Sequence, residues 1–536
     1  MQKNVKTLLL SDIRTAYTAS DEEILHIAKE RMKRLCRFGA GLHFRLYKKS
    51  LDARNKKNVL FVSSVLAEFS EPCEIDDALF PHAHARVVDL GVPEPVFGNE
   101  RLGARPLIVG MGPAGLFAAL ELARAGYAPL IIDRGDGVAE RARKTELFRV
   151  TGTLDTESNV QFGAGGAGTF SDGKLITRVN DAYCHYILEQ FVRHGAPRDI
   201  LIQAKPHLGT DLLRGVVEGM LSEITRLGGE VRYRTKLLDY TRRGGEIIAE
   251  TSAGDLSAGV LLLGIGHSAR DTFFMLARHT SLVCKPFSVG VRIEHRREDI
   301  ERALFGDLAG DARLGAAEYA LSDTTLPRGV YTFCMCPGGV VIPAASEEGG
   351  VVVNGMSYHS RDGENSNAAL AVSVSPEDVG NDPFGAIAFQ RDLERRAFAA
   401  GGGSFVAPAE TVGDFLDTFR GSAPARILPT YGGGRVKMTD LTAFLPRFVS
   451  ENLAAGIRSF DRKLAGFAAP DAILTGVESR TSSPLRIPRT EDRRAVGDDL
   501  LYPMGEGAGY AGGITSAALD GLHTALAVMR RFAPLR

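Results

Sequence analysis

No run of about 18 apolar residues occurs anywhere in the 536-residue chain, so no stretch is long enough to read as a membrane-spanning helix. The start, MQKNVKTLLLSDIR, holds only three consecutive leucines, too few for a signal-peptide core, and the chain is therefore expected in the cytoplasm. Excess charge of one sign is missing as well. Lys plus Arg number 64 against 65 for Asp plus Glu, a balance that gives no reason to expect nucleic acid or an acidic surface as partner. Cysteine is sparse: Cys36, Cys73, Cys184, Cys284, Cys334 and Cys336 lie scattered without framework spacing, as reduced thiols do, and no disulfide scaffold is implied. Internal repeats and long low-complexity tracts are also absent. What remains, 44% hydrophobic and 24% charged residues, is globular composition at a length that asks for two or three domains.

Composition changes near residue 95, where VPEPVFGNERLGARP places prolines and glycines between two patterned segments. Before it, Val5 to Leu10 is strand-like, and Ser20 with Glu23 forms a capping box opening an amphipathic helix to about Cys36. Two further strand-like runs, His43 to Tyr47 and Val59 to Glu68, predict a small α+β module of ferredoxin-like type. It carries a basic run, Arg45, Lys48, Lys49, Arg54, Lys56 and Lys57, with acidic residues nearby and no RNA-binding signature. The run reads as a solvated hairpin rather than a nucleic-acid patch.

From Pro106 to Asp133 the order is apolar strand, glycine turn (Gly110, Gly112, Pro113, Ala114, Gly115), helix and second strand, a complete βαβ fingerprint in context. Gly110 permits the tight turn, Gly112 lets backbone approach a pyrophosphate, and Gly115 lets the helix pack on the strand. The helix N-terminus favours anions, and Pro113 gives up a donor that has no partner there in any case. Asp133 ends the second strand 23 residues after Gly110, where a carboxylate accepts hydrogen bonds from ribose hydroxyls. That motif alone serves NAD or an adenosyl methyl donor as well as FAD.

Three later segments decide among those ligands. Asn159 to Leu175, NVQFGAGGAGTFSDGKL, leaves little room for side chains at Gly163, Gly165, Gly166 and Gly168, so its backbone can line a long ligand and offer amides to it. The apolar run Val260 to Leu263 ends in a tight turn at Gly264 to Ser268, with Gly266 at its centre. Leu500 to Glu506 is strand-like, includes Gly505, and runs into a glycine-opened helix. Free amides near Gly512, Gly513 and Ile514 can stabilise the negative charge that reduction places on a flavin, and Glu506 can hydrogen-bond a ribityl chain.

These segments in this order resemble the glutathione-reductase-like superfamily of FAD flavoproteins, and more closely a bacterial family of uncharacterised FAD-dependent dehydrogenases. The resemblance covers nearly the whole chain. It rests on SNVQFGAGGAGTFSDGKL, KPHLGTD from Lys205, FCMCPGG from Phe333, NGMSYHSR from Asn354 and GEGAGYAGGITSAALDG from Gly505. It implies FAD held by Gly110, Gly112, Ala114, Gly115, Asp133 and Arg134, with the flavin end near Gly165, Gly166, Ala167, Gly168 and Thr169 and near Gly512 to Ile514. Leu237 is expected to contact the adenine through its backbone. Asp133 departs from the glutamate usual in the wider superfamily, although the shorter acid should still reach the ribose.

Between about Lys285 and Arg480 the cofactor pattern gives way to alternating strands, such as Ser288 to Ile293 and Val351 to Asn354, read as an inserted substrate-facing domain. The candidates to face the flavin are Lys205 and His207, which precede that region, and Arg292, His295, Asn354 and Arg361 within it, because cationic or imidazole groups can hold an acidic substrate or move a proton. Cys334 and Cys336 form a CxC pair, not the usual CxxC dithiol, and are expected to pack as small apolar side chains beneath the following glycines. No metal site is expected.

The expected architecture is α/β: an N-terminal ferredoxin-like module (1–98), a Rossmann-like FAD-binding domain split into 99–284 and 481–536, and an inserted α+β substrate domain (285–480). The expected function is FAD-dependent oxidoreduction of a small molecule, with electrons from that substrate, a transiently bound nicotinamide, or a protein donor. No second intact GxGxxG followed by an acid predicts a dedicated NAD(P)H domain. A rival reading makes FAD structural or redox-sensing, with the N-terminal module binding RNA or a protein. A third, an NAD-dependent dehydrogenase or methyltransferase, leaves GEGAGYAGGI unexplained.

Overall fold

The structure is a computed structural model and describes residues 2–35 and 41–535. Near the N-terminus an antiparallel sheet runs in the order Leu42–Asp52, Leu60–Asp76, Gln2–Ala16, Ala85–Val87. Helix Asp21–Met32 packs on it through Ile24, Ala28 and Met32. Its start is fixed as the sequence signals: Ser20 Oγ accepts from Glu23 N, and the Glu23 carboxylate accepts from Ser20 N. The helix ends at Met32, and Cys36, its expected end, lies outside the described residues.

Three residues of the basic run are paired within this module and a fourth reaches beyond it. Arg45 pairs with Glu68 at 3.1 Å, Lys49 with Asp21 at 2.8 Å and Arg54 with Asp52 at 2.5 Å, while Lys56 donates to the carbonyl of Ala303. The outer strand Leu42–Asp52 is covered where Lys49 N donates to Ile202 O and Ala204 N donates to Lys49 O. Pairing with another chain is blocked at that point.

A parallel sheet follows, ordered Leu501–Pro503, Leu261–Leu263, Leu107–Val109, Leu130–Ile132, Glu230–Arg232. Its inner strands are unbroken apolar triplets, as strands covered on both faces require. The strand Leu501–Pro503 arrives from the far end of the chain, so residues after 480 complete a sheet begun at residue 107. Helices Pro113–Arg124 and Ile514–Arg531 then pack closely. A Cβ on Gly521 would stand 2.0 Å from the Ala114 carbonyl oxygen, so only glycine allows this approach.

The chain between these two parts builds a larger sheet: Ser322–Asp323, Val330–Cys336, Asn365–Val374, Phe287–Arg296, Ile473–Glu478, Ala407–Thr411, Val436–Met438. It is antiparallel except for its last pair. Helices Pro383–Ala400 and Arg447–Asp461 contribute Ala386, Leu393, Val449 and Leu453 to its core. Where the chain enters and leaves this region, Val283–Cys284 pairs antiparallel with Leu485–Arg486. Among the described residues no helix is long and apolar enough to cross a membrane.

Candidate functional site

The parallel strands end at Val109, Ile132, Leu263 and Pro503, and the turns that follow open onto a cavity of about 380 Å³. The carboxyl ends of parallel strands are where open α/β sheets bind ligands. Gly110 adopts φ +99°, and a Cβ there would meet the Gly264 carbonyl at 2.3 Å. A Cβ on Gly115 would meet the Gly110 carbonyl at 1.9 Å. These two glycines serve packing. Gly112 differs, because a Cβ there would meet nothing closer than Gly166 Cα at 3.8 Å, while at Gly266 and Gly512 it would meet nothing within 4 Å. All three line the cavity and present bare backbone to it.

Two helix starts face the same space, Pro113–Arg124 after Gly112 and Ile514–Arg531 after Gly513. Their first amides lack intrahelical acceptors and sit at the positive end of each dipole. A long, slender ligand carrying phosphates and a planar group that gains negative charge fits this donor set.

Asp133 lines the cavity while bracing the turn: Oδ2 accepts from Met111 N and Oδ1 from Gly135 N, both at 2.8 Å. Each oxygen keeps a second lone pair for a ribose hydroxyl. Arg134 lies over the Phe162 ring at 4.3 Å and pairs with Glu157 and Asp271, and beside it Lys236 and Leu237 complete that end of the lining.

The glycine-rich loop is held by a residue the sequence did not single out. Arg141, fully buried on helix Val138–Thr151, donates to the carbonyls of Asn159, Val160, Gly163 and Ala164. Burial pulls its guanidinium down to about 9, the cost of using a cation as the hub of four carbonyls. Within the loop, Gly165 gives way to Thr169 Oγ1, which a Cβ would meet at 2.1 Å, and the Thr169 carbonyl accepts from Thr210. Gly166, Ala167 and Gly168 line the cavity, whereas Gly165, Thr169 and Gly115 lie behind its wall.

The C-terminal segment is anchored by Asp520, which accepts from Gly505 N at 2.7 Å and pairs with Arg489 and Arg493. Glu506 lines the cavity, and burial pushes its carboxyl up to about 7 against the pull of Lys285. His267, in the turn after the neighbouring strand, also lines the cavity. Burial, reinforced by Arg480 and Arg270, pushes it down to about 3, so it is neutral at physiological pH.

The substrate-side candidates separate in space. Asn354 lines the cavity. Arg292 stands behind it, wholly buried: it is ion-paired with Glu478 at 2.5 Å and donates to Asn354 Oδ1 at 2.9 Å, Asn367 Oδ1 at 3.0 Å and the Cys334 carbonyl at 2.9 Å. It acts as a strut. Arg361 pairs with Asp172 and Glu318, Lys205 sits 3.6 Å from Glu318, and the His207 ring contacts the His359 carbonyl at 3.1 Å; none of the three lines the cavity. His295 is buried against the Phe467 carbonyl, away from it.

Among the polar cavity residues that sequence reasoning passed over are Asp172, Lys174, His267, Glu478 and Arg480. Asp172 and Lys174 stood inside the glycine-rich segment as SDGKL, and that position was the available signal. Cys334 and Cys336 also face the cavity, Cys334 exposed to it and Cys336 buried in its wall. Burial beneath the glycines therefore describes Cys336 and not Cys334.

Comparison with known proteins adds three findings. Residues 286–481 match the family model described as FAD-dependent protein, C-terminal domain-like. An uncharacterised protein of Clostridium beijerinckii is 45% identical over 496 residues, 91% of this chain and 92% of that one. Solved structures with loose likeness include CtdE in complex with FAD, at 9% identity and TM-score 0.31 over 80% of this chain and 84% of that one. NikD, an unusual amino acid oxidase, matches at 11% identity and TM-score 0.31 over 79% and 93%.

Proposed function

Since this chain belongs to the same family as the Clostridium beijerinckii protein, we propose that it is an FAD-dependent oxidoreductase whose cofactor lies along the glycine-lined cavity. FAD is the cofactor. The observation that carries the placement is the convergence of Gly112, Gly266 and Gly512, from distant parts of the chain, with open space where their side chains would be. In this reading residues 99–284 and 481–536 form a split Rossmann-type domain of the glutathione-reductase-like kind. Residues 285–480 supply the substrate wall, and residues 1–98 form the ferredoxin-like module.

The amides after Gly112 hold the diphosphate, Asp133 the adenosine ribose, and Glu506 the ribityl hydroxyls. The starts of the loop at Gly166 to Gly168 and of the helix at Gly513 and Ile514 bracket the ring system. When bound, FAD supplies hydride transfer at its N5. The chain's part is to position the reactant and manage protons. Lys174, held between Asp172 at 3.1 Å and Glu318 at 2.9 Å, and Asn354, fixed by Arg292, are the groups offered to an acidic substrate. Electrons enter from the substrate, from nicotinamide bound transiently, or from a protein donor.

The test is the visible spectrum of the purified protein, followed by anaerobic addition of NADH and NADPH. A flavin band that bleaches on mixing identifies a nicotinamide-fed reductase, and a band that stays oxidised points to a substrate or protein donor. Absence of the band after saturation with FAD overturns the proposal.

A further inference from the structure

We propose that Cys334 and Cys336 are a redox pair that exchanges two electrons with the flavin, giving the cavity a second two-electron store. The proposal rests on the FAD placement above, and the two can fail separately.

The local backbone first brings Cys336 Sγ against the main chain of Cys334. Strand Val330–Cys336 pairs with Asn365–Val374 in register as far as Phe333 opposite Ala369, then slips so that Cys336 stands opposite Asn367. Bulges of this kind re-aim side chains and gather beside active sites. Cys334 sits in the slip with φ +43°, a left-handed conformation that is costly for any residue with a Cβ. In a regular strand the two cysteines, two residues apart, would share a face at full strand spacing. Here Cys336 Sγ lies 3.4 Å from the carbonyl oxygen of Cys334, and both residues line the cavity that holds Gly512 to Ile514. Cys334 is exposed to it, whereas the other described free cysteines are half-buried or buried.

A fixed charge then stands behind the pair. Arg292 donates to the Cys334 carbonyl and is itself immobilised by Glu478, Asn354 and Asn367. Desolvation by the surrounding protein raises both thiols, to about 11 for Cys334 at the cavity surface and about 12 for Cys336 in its wall, while Arg292 pulls each down. Both therefore remain protonated at neutral pH. Oxidation must release protons with the electrons, and Arg292 favours the sulfur that loses its proton first.

In the exchange two S–H bonds break and one S–S bond forms. The two electrons reduce the flavin, and the two protons pass to it and to water in the cavity. The reverse step breaks the S–S bond and reoxidises the flavin. A bridge across one intervening residue is strained, and strain makes a disulfide a better electron acceptor. The equilibrium therefore favours two thiols beside oxidised flavin, and the pair draws electrons from a reduced one.

The experiment uses the FAD-loaded protein, oxidised with diamide, freed of reagent and titrated anaerobically with dithionite while the flavin band is followed. Wild type should consume about twice as many electrons per FAD as Cys334→Gly, a variant whose glycine suits the left-handed backbone. In wild type unfolded in urea, N-ethylmaleimide should label both cysteines in protein not treated with diamide and neither in protein oxidised with it before unfolding, as read by peptide mass. Equal electron uptake, or unchanged labelling at either position, overturns the pair. A protein that shows this labelling change but never binds FAD refutes the cofactor placement instead.

Discussion

The two walls of the cavity are made of different material. From residues 110–114, 166–168 and 505–513 the lining is largely glycine backbone: Gly110, Gly112, Gly166, Gly168, Gly505, Gly512 and Gly513. From residues 333–355 and 478–481 it is largely side chain, with Asn354 and Glu478 fixed by the buried Arg292, and Arg480 pinned to Glu394. A backbone surface takes its shape from turns and helix starts, which suits a partner that never changes. A side-chain surface is retuned by substitution, which suits a reactant.

The largest effects should come from the buried cations behind each wall, and they should differ in kind. Glu478→Gln strips the fully buried Arg292 of its counter-charge, which costs about 3–5 kcal/mol of stability in urea unfolding. Because that strut serves the substrate wall, FAD retention should survive under native conditions. Arg141→Met leaves four loop carbonyls without their donor, with a loss of about 3 kcal/mol. It should also release FAD, measured as flavin absorbance after desalting. Equal retention in the two variants would break the comparison.

A finer distinction lies within the backbone wall. Gly115→Ala drives a Cβ to 1.9 Å from a carbonyl and should cost about 2 kcal/mol in the FAD-free protein. Gly112→Ala finds open space, so its stability should change by less than about 1 kcal/mol, the cost of alanine in place of glycine at a helix start. FAD affinity should instead fall about tenfold, read by flavin fluorescence titration. Should Gly112→Ala bind FAD as wild type does, the diphosphate lies elsewhere.

The same contrast explains what could be read in advance. Gly110, Gly112, Gly115 and Asp133 answer constraints that act within 23 residues, and the apolar triplets around them announce their strands. Arg292 and Glu478 meet across 186 positions, and Arg361 and Asp172 across 189; no spacing rule reports such pairs. Arg141 looks like any arginine in the charged helix VAERARKTELFRVT until the loop folds over it. Element ends also shifted. Val5 to Leu10 carries the apolar pattern, but pairing with Leu60–Asp76 extends that strand to Gln2–Ala16, through bulges that the pattern does not show.

Glu506 offers the smallest effect and the sharpest view of how dry the backbone wall is. Its carboxyl stands at about 7 in the folded chain against an ordinary 4.5. Between those values the folded protein keeps a proton that the unfolded chain has released, so this group's contribution to stability falls as pH rises through the interval. Below it both states are protonated, and above it both are ionised with the burial penalty fully present. Glu410, raised to about 7, and Glu294, raised to about 6, act in the same sense, so the wild-type slope is a sum. Glu506→Gln in the FAD-free protein should remove its falling component from that slope, so the variant's urea midpoint relative to wild type should rise from about pH 5 to about pH 8. An unchanged slope would mean that water reaches Glu506 freely. The backbone wall would then be an open channel at the ribityl position, not a closed seat.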